Sequence, residues 1–369
     1  MQTLVLAWLC TLVVTLGLIR WRHWHLHLSA DDVNGVQKFH QGQVPRIGGV
    51  AVAAGLAVAL GWSAWRGLVG VEAAWLLLAA VPAWLAGLLE DVTKRVGVMA
   101  RLLATMASAA LAAWLLDALV PRLGIAGLDA LLAWSPVAWA LTLVAVAGVA
   151  NAVNIIDGFH GLAVMVAMLM FAAFGYVAWV LGDGVIVQLC LAMIGALAGF
   201  FFWNYPRGLI FLGDGGAYLV GFMLAEVAVL MVVRHPGLSP WFCLLVCLYP
   251  ITETLFSIYR RLWLRGTSPG VPDGLHLHTL VYRRLIRWAA GDAAARCITA
   301  RNAATSPYLW GLTSLAVIPA VLFWRNEVLL QLSAAVFIGL YVGFYAMLVR
   351  FRSPPWLRRR VHPRTGGAG

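Results

Sequence analysis

Four short stretches of this sequence collect the residue types that hold cations, anions and protons. Asn151, Asn154 and Asp157 recur every three residues, so one helical turn sets their side chains on a common side. Amide and carboxylate oxygens of this kind suit a hard cation such as magnesium. Gly158 and Gly161 follow and permit sharp turns or close backbone approach. The plainer reading is a helix C-cap in which Asn and Gly satisfy orphan carbonyls. Phe211-Leu-Gly213-Asp214-Gly215-Gly216 frames one carboxylate with glycines just before an apolar run. That pattern offers backbone N–H groups to an anion at a helix start, and an oxygen ligand to the anion's metal. Gly-Asp-Gly is also ordinary turn chemistry. Glu90-Asp91 is a pair of neighbouring acids. Their mutual repulsion raises the proton affinity of one unless a cation such as Lys94 or Arg95 is close, so the pair reads as a salt-bridged end, a base or a metal-organising acid. Asp273, His276 and His278, followed by Arg283 and Arg284, suit phosphate. Zinc is the competitor for the histidines, but no cysteine or third histidine is near in sequence.

Apolar helices must carry these residues. The chain has 369 residues, 62% of them hydrophobic and 11% charged. A soluble domain cannot hide that much apolar surface. Eleven apolar runs are each long enough to cross a bilayer: 2–19, 47–65, 73–89, 102–119, 134–150, 161–181, 185–203, 215–233, 240–259, 306–324 and 328–349. The expected fold is an all-α polytopic membrane protein with catalytic loops on one face. Residues 1–350 form a single membrane domain and 351–369 a basic tail. With the N-terminus outside, only Arg66, Arg122, Arg234 and Arg325 fall on the outer side, and the other 22 of the 26 Lys and Arg fall inside. The positive-inside rule therefore puts the N-terminus in the periplasm and the C-terminus in the cytoplasm. This asymmetry also accounts for most of the +11 charge without nucleic acid.

The acids then sort by side. Asp32, Glu90, Asp91, Asp157, Asp214 and Asp273 all fall on the inner face, as do Asn151, Asn154, His40, His160, His276 and His278. In the long 260–305 loop, Leu277, Leu280, Val281 and Leu285 share one side of an expected amphipathic helix, which would lie in the membrane interface. The alternating His23, His25 and His27 sit beside Trp and Arg at a membrane edge and read as interfacial residues.

With these residues in order, the chain resembles the polyprenyl-phosphate N-acetylhexosamine-1-phosphate transferases, in their bacterial O-antigen-initiating branch more than the peptidoglycan translocase branch. The resemblance runs from Asp32 to about Arg284. It rests on Asp32…Lys38-Phe-His40…Pro45-Arg46-Ile-Gly48-Gly49, on Gly87-Leu-Leu-Glu90-Asp91, on Asn151 to Ala163, on Phe211 to Gly216, and on Glu253…Arg260…His276-Leu-His278. It implies Asp214 as the magnesium-binding acid, with Asn154 as second ligand or pyrophosphate contact and manganese as the alternative ion. It implies Glu90 and Asp91 as the acidic pair near the lipid phosphate, and Asp157 as a site acid near the nucleotide. Lys38, His40, Asn151, His276 and His278 become substrate-binding residues. Three positions depart from the family pattern: Glu90 where two aspartates are usual, His160 where many relatives carry Asp, and Gln37 where many carry Arg.

The activity so implied is transfer of N-acetylhexosamine-1-phosphate from a UDP-sugar to undecaprenyl phosphate in the bacterial inner membrane, with release of UMP. UDP-N-acetylglucosamine is the default donor and a 6-deoxy-N-acetylhexosamine donor the alternative; a homodimer is left open. Such chemistry is mainly positioning plus charge neutralisation, with Asp91 or Glu90 accepting a proton from the lipid phosphate. A transporter for a polyprenyl-linked or anionic solute would instead place ionisable residues deep in the spans, where Glu226 is the main candidate. A membrane scaffold would leave Asn151, Asn154, Asp157 and Asp214 without a role.

Overall fold

The computed structural model describes residues 1–29, 43–264, 266, 274–286 and 298–350. All of its regular structure is helical among these residues. In chain order the helices are α1 (Gln2–Arg20), α2 (Arg22–Ser29), α3 (Gly48–Trp65), α4 (Glu72–Thr93), α5 (Val98–Leu116), α6 (Ala126–Leu132), α7 (Ser135–Ile156) and α8 (Leu162–Val180). They continue as α9 (Gly184–Asn204), α10 (Gly213–Arg234), α11 (Pro240–Val246), α12 (Leu248–Tyr259), α13 (Leu277–Leu280), α14 (Ile298–Phe323) and α15 (Glu327–Val349). π-Helical turns extend α12 over Arg260–Leu264 and α13 over Val281–Ile286. Among the described residues ten helices are long and apolar enough to span a membrane, and α11 with α12, bent by 73°, makes an eleventh if the pair is one broken span rather than a re-entrant loop. The protein is an all-α, multi-pass membrane protein.

The expected spans match the helices, with differences at their ends. α7 runs on to Ile156, so Asn151 and Asn154 are helical and Asp157 is the C-cap. α14 begins before the expected 306, because its polar first turns are held by partners described below. The amphipathic surface helix expected near 277–285 is instead buried: Leu277, Leu280 and Val281 are 0–1% exposed and pack under α14 and α15. Its apolar side found a protein surface rather than lipid. The expected basic tail, 351–369, lies outside the described residues.

α10 is the axle of the bundle. It packs most extensively on α4 and α7, then on α3, and is buried along nearly its whole length. Such close approach requires glycine at the crossings. A Cβ on Gly49 of α3 would lie 2.2 Å from Gly216 N, and one on Gly87 of α4 would lie 2.6 Å from the Asp214 backbone. In a lipid environment, where apolar burial gives helices little drive to associate, this close packing is what holds them. Within α4, Pro82 interrupts the ladder, and the Ser108 hydroxyl of α5 takes the Ala83 N–H at 2.9 Å.

The two ends of α10 carry different polar clusters. At its start lie Asp214 and its partners. At its finish Asp183 accepts from Arg234 Nε (2.6 Å), from Ile186 N (3.1 Å), and pairs with His235 Nε2 (2.9 Å). Burial would raise the Asp183 carboxyl, but the hydrogen bonds from Arg234, Ile186 and His235 outweigh it and hold the carboxyl below its ordinary value. At about 1.5 Å per residue the 22-residue helix separates the clusters by about 33 Å.

Candidate active site

The 45–49 and 211–216 segments are built as one unit. Phe211 N donates to Pro45 O (2.9 Å), Gly48 N to Phe211 O (3.0 Å) and Gly49 N to Leu212 O (2.8 Å). The first helical N–H groups of α3 are thus capped by the chain leading into α10. Gly213 takes a positive φ of 76°, with Arg46 O 2.0 Å from where a Cβ would sit, so only glycine fits this turn.

Asp214 then enters the centre of the cluster. Arg46 Nη2 donates to its Oδ1 at 3.0 Å, Asn154 Nδ2 donates to the same oxygen at 3.1 Å, and Arg101 forms an ion pair with Oδ2. Asn154 and Asp214, sixty residues apart, therefore meet at the same end of the bundle. Asn151, one turn earlier, accepts from Tyr218 Oη at 3.2 Å.

The start of α10 is expected to offer backbone N–H groups to an anion, and Asp91 supplies a carboxylate for two of them from within the protein. Asp214 N donates to Asp91 Oδ1 and Gly215 N to Oδ2, both at 2.9 Å. A carboxylate at a helix N-terminus satisfies orphan donors and complements the dipole, so Asp91 holds the place the anion was expected to take. Arg46 Nε lies 3.8 Å from it, and Lys94 Nζ donates to the Asp91 carbonyl at 2.6 Å. Glu90, adjacent in sequence, turns elsewhere: it is half-buried and accepts from Val96 N at 2.7 Å, closing the α4–α5 loop.

Asp157 stands at the end of α7, half-buried. Burial pushes its carboxyl up to about 7 against the lowering influence of the Arg46 charge. The turn after it is locked. His160 N donates to Asn302 Oδ1 (2.8 Å), Ser306 Oγ donates to His160 O (2.6 Å), and Gly161 N donates to Asn204 Oδ1 (2.6 Å). The His160 ring is itself buried, its Nδ1 3.0 Å from Pro206 O and the ring packed on Phe211. His160 thus knits three segments together.

The 274–286 segment reaches the same place. The His276 and His278 rings stack at 5.2 Å, and His278 meets Phe159 edge-on at 5.4 Å. His278 Nε2 comes within 3.5 Å of a Cβ built on Gly158, next to Asp157. Lys38 and His40, with Asp32, Gln37 and Asp273, lie outside the described residues.

Arg101, Asn302 and Ser306 were missed by sequence reasoning. Arg101 carried a signal, since it is a charge inside an apolar helix, where charges are costly and mark function. Asn302 and Ser306 carried a fainter one: two polar residues four apart on one face of a helix.

From Asn151 an apolar groove of about 550 Å³ runs along α10 toward the other end of the bundle, between α5, α7 and α11–α12. Met106, Val149, Val229, Cys247 and Ile251 line it, and Arg122 stands at its far end. Leu255 and Val144 at its rim are 61% and 58% exposed, so it opens sideways.

Residues 73–232 match the family model described as glycosyl transferase family 4. Over those residues the chain is similar to that family. The matched span holds Glu90, Asp91, Arg101, Asn151, Asn154, Asp157 and Asp214, while the histidine pair lies beyond it. Over 263 residues the chain is 29% identical to the undecaprenyl-phosphate alpha-N-acetylglucosaminyl 1-phosphate transferase of Escherichia coli K12, covering 68% of this chain and 69% of that one. It is 31% identical over 142 residues to a probable undecaprenyl-phosphate N-acetylglucosaminyl 1-phosphate transferase of Bacillus subtilis, 38% of this chain and 39% of the relative. It is 39% identical over 121 residues to a phospho-N-acetylmuramoyl-pentapeptide-transferase of Limosilactobacillus fermentum, 33% and 36% of the two chains.

Proposed function

We propose that this protein transfers an N-acetylhexosamine-1-phosphate group from a UDP-sugar to undecaprenyl phosphate, initiating an O-antigen or other surface glycan. One observation carries the reading. Asp214, Asn154, Arg46, Arg101 and Asp91 converge at the head of an apolar groove that opens sideways. A lipid tail suits the groove, and a phosphate head at Asn151 would meet the polar cluster. The Lys and Arg asymmetry supports a cytosolic position for the Asp214 end, with the N-terminus periplasmic.

Magnesium fits the donor chemistry, with manganese as the alternative. Among the described residues no three His, Cys, Asp or Glu side chains lie together as a protein-only cage. Magnesium does not require one, since it commonly binds through one or two carboxylates plus substrate phosphates and water. Asp214 would hold it, with the Asn154 amide oxygen turned inward. The ion, when bound, neutralises charge on the diphosphate.

The remaining work falls to this chain's own groups. An oxygen of the lipid phosphate attacks the β-phosphorus of the donor, and the bond to the α-phosphate breaks to release UMP. Arg46 and Arg101, which balance Asp214, take up phosphate charge. Asp157, with a carboxyl near 7, accepts the proton of a monoprotonated lipid phosphate, whose own second ionisation lies at about 6. Asp157 suits this better than Asp91, whose two oxygens are committed to backbone N–H groups. Asp91 instead holds Asp214 in register. His276 and His278 contact the donor diphosphate. The transporter alternative gains nothing: Glu226 is fully enclosed and does not line the groove.

The test is the purified protein with magnesium, undecaprenyl phosphate and a panel of UDP-sugars, UDP-N-acetylglucosamine and 6-deoxy donors included, scored by UMP release and lipid-product mass. No UMP from any donor would refute the activity. Asp214→Asn is expected to fold and to lose turnover at saturating magnesium; near-normal turnover would sink the metal assignment.

A further inference from the structure

One buried carboxylate beside this site has no part in the chemistry above. Glu253 lies on α12 and is 1% exposed. An acid so enclosed is costly unless its oxygens are filled, and here they are. Oε1 accepts from His276 Nδ1 and from Leu277 N, both at 3.0 Å, and Oε2 accepts from Tyr341 Oη at 2.9 Å. Three separated parts of the chain thereby meet on one side chain. The path to the site is short: His276 stacks on His278, which touches Phe159 and approaches Gly158. Arg260, two turns further along the same helix, holds the backbone at Leu275. It donates to Leu275 O and to Tyr345 Oη, and Tyr345 Oη donates to Leu275 O at 3.1 Å. Beyond that anchor Glu253 adds a contact to the Leu277 N–H and one to the imidazole ring.

We propose that Glu253 is a positioning residue for the donor diphosphate, fixing the His276 ring so that Nε2 is the nitrogen offered to a phosphate oxygen. The proposal rests on the reading of His276 and His278 as diphosphate ligands. An ionised carboxylate only accepts hydrogen bonds, so Nδ1 must carry a proton. A ring turned by Nδ1 to Glu253 has Nε2 left for a phosphate oxygen. Its orientation is thus set by a residue that never touches the substrate. Tyr341 keeps the second carboxylate oxygen in place, which ties the last helix to the same ring.

The experiment uses the full-length protein in detergent with magnesium, and UDP as the probe, because UDP carries the diphosphate common to every candidate donor. Binding is read by calorimetry for single and double variants. Glu253→Gln keeps the side chain's shape and removes its charge. It is expected to weaken UDP by about tenfold, the lower end for loss of a carboxylate behind a ligating histidine, and to leave undecaprenyl phosphate binding unchanged. In a His276→Ala background it should cause no further loss. UDP binding by Glu253→Gln equal to the parent overturns the proposal, and so do losses that multiply in the double variant. A His276→Ala protein that binds UDP normally refutes the reading of the histidine pair, whatever Glu253→Gln does. If Glu253→Gln does not fold, Tyr341→Phe removes one partner of Oε2 alone. A loss of about twofold to threefold, absent in the His276→Ala background, then supports the proposal, and unchanged binding counts against it.

Discussion

Gly87→Ala tests whether the fit of α4 against α10 sets the site. The added Cβ would fall 2.6 Å from Asp214 C and O and Gly215 N. These are backbone atoms of a helix buried on all sides, so no side chain can swing away. Restoring an ordinary 3.4 Å contact from 2.6 Å needs the two helices to part by about 0.8 Å. Asp91 stands one turn on, on the same face of α4. A shift of that size carries its two 2.9 Å hydrogen bonds to about 3.7 Å, beyond useful range. Asp214 would lose the clamp on its own peptide. Misplacement of about 1 Å in a positioned site costs on the order of 100-fold in rate, and overpacking costs about 1–3 kcal/mol of stability. UMP release at saturating substrates, with the thermal midpoint in the same detergent, reads both. Gly61→Ala is the control, since nothing lies within 4 Å of its Cβ; it should be neutral. Turnover of Gly87→Ala within about twofold of the parent would refute the reasoning.

The proton acceptor assigned to Asp157 must be charged to work. With its carboxyl raised to about 7, turnover should climb with pH through that value and level off above it, and Asp157→Asn should remove the limb and most of the activity. A parent profile flat between about pH 5.5 and 8 contradicts the assignment. Asn302→Ala withdraws the acceptor from His160 N and should lower kcat by about tenfold, while Asn302→Asp, which keeps an acceptor, restores most of it; equal kinetics of the two variants argue against a positioning role. At the opposite end, Asp183 is held below its ordinary value, so its stabilisation is present at neutral pH and disappears as pH falls through that depressed value. Asp183→Asn should lower the thermal midpoint at pH 7 with little change in turnover, and the gap should close in strong acid; equal midpoints at pH 7 would rule this out.

The spans, and the gathering of Asp91, Asp157 and Asp214 at one end of the bundle, could be read from sequence because both are local: a run of about 20 apolar residues declares a helix, and charge declares where it ends. The bend between α11 and α12 was not, because the run 240–259 is apolar on both sides of it. Asp91 was legible as a site acid but not as a cap, since its partners lie 123 and 124 residues away. The same holds for Asn302 and His160, 142 residues apart. Glu253 could be placed in a motif but not given a task until His276 and Tyr341 stood around it. The glycines at 49, 87 and 216 were visible as a pattern. Their meaning, contact between backbones of three helices, is a property of the crossing.

The sideways mouth of the groove bears on how an acceptor would be supplied. A lipid that slides in between α5 and α12 never leaves the plane of its leaflet, so its encounters are counted per unit area rather than per unit volume. Half-saturation would then follow the mole fraction of polyprenyl phosphate in the bilayer or micelle. Diluting the sample with buffer would change the supply of donor sugar and leave the supply of acceptor where it was.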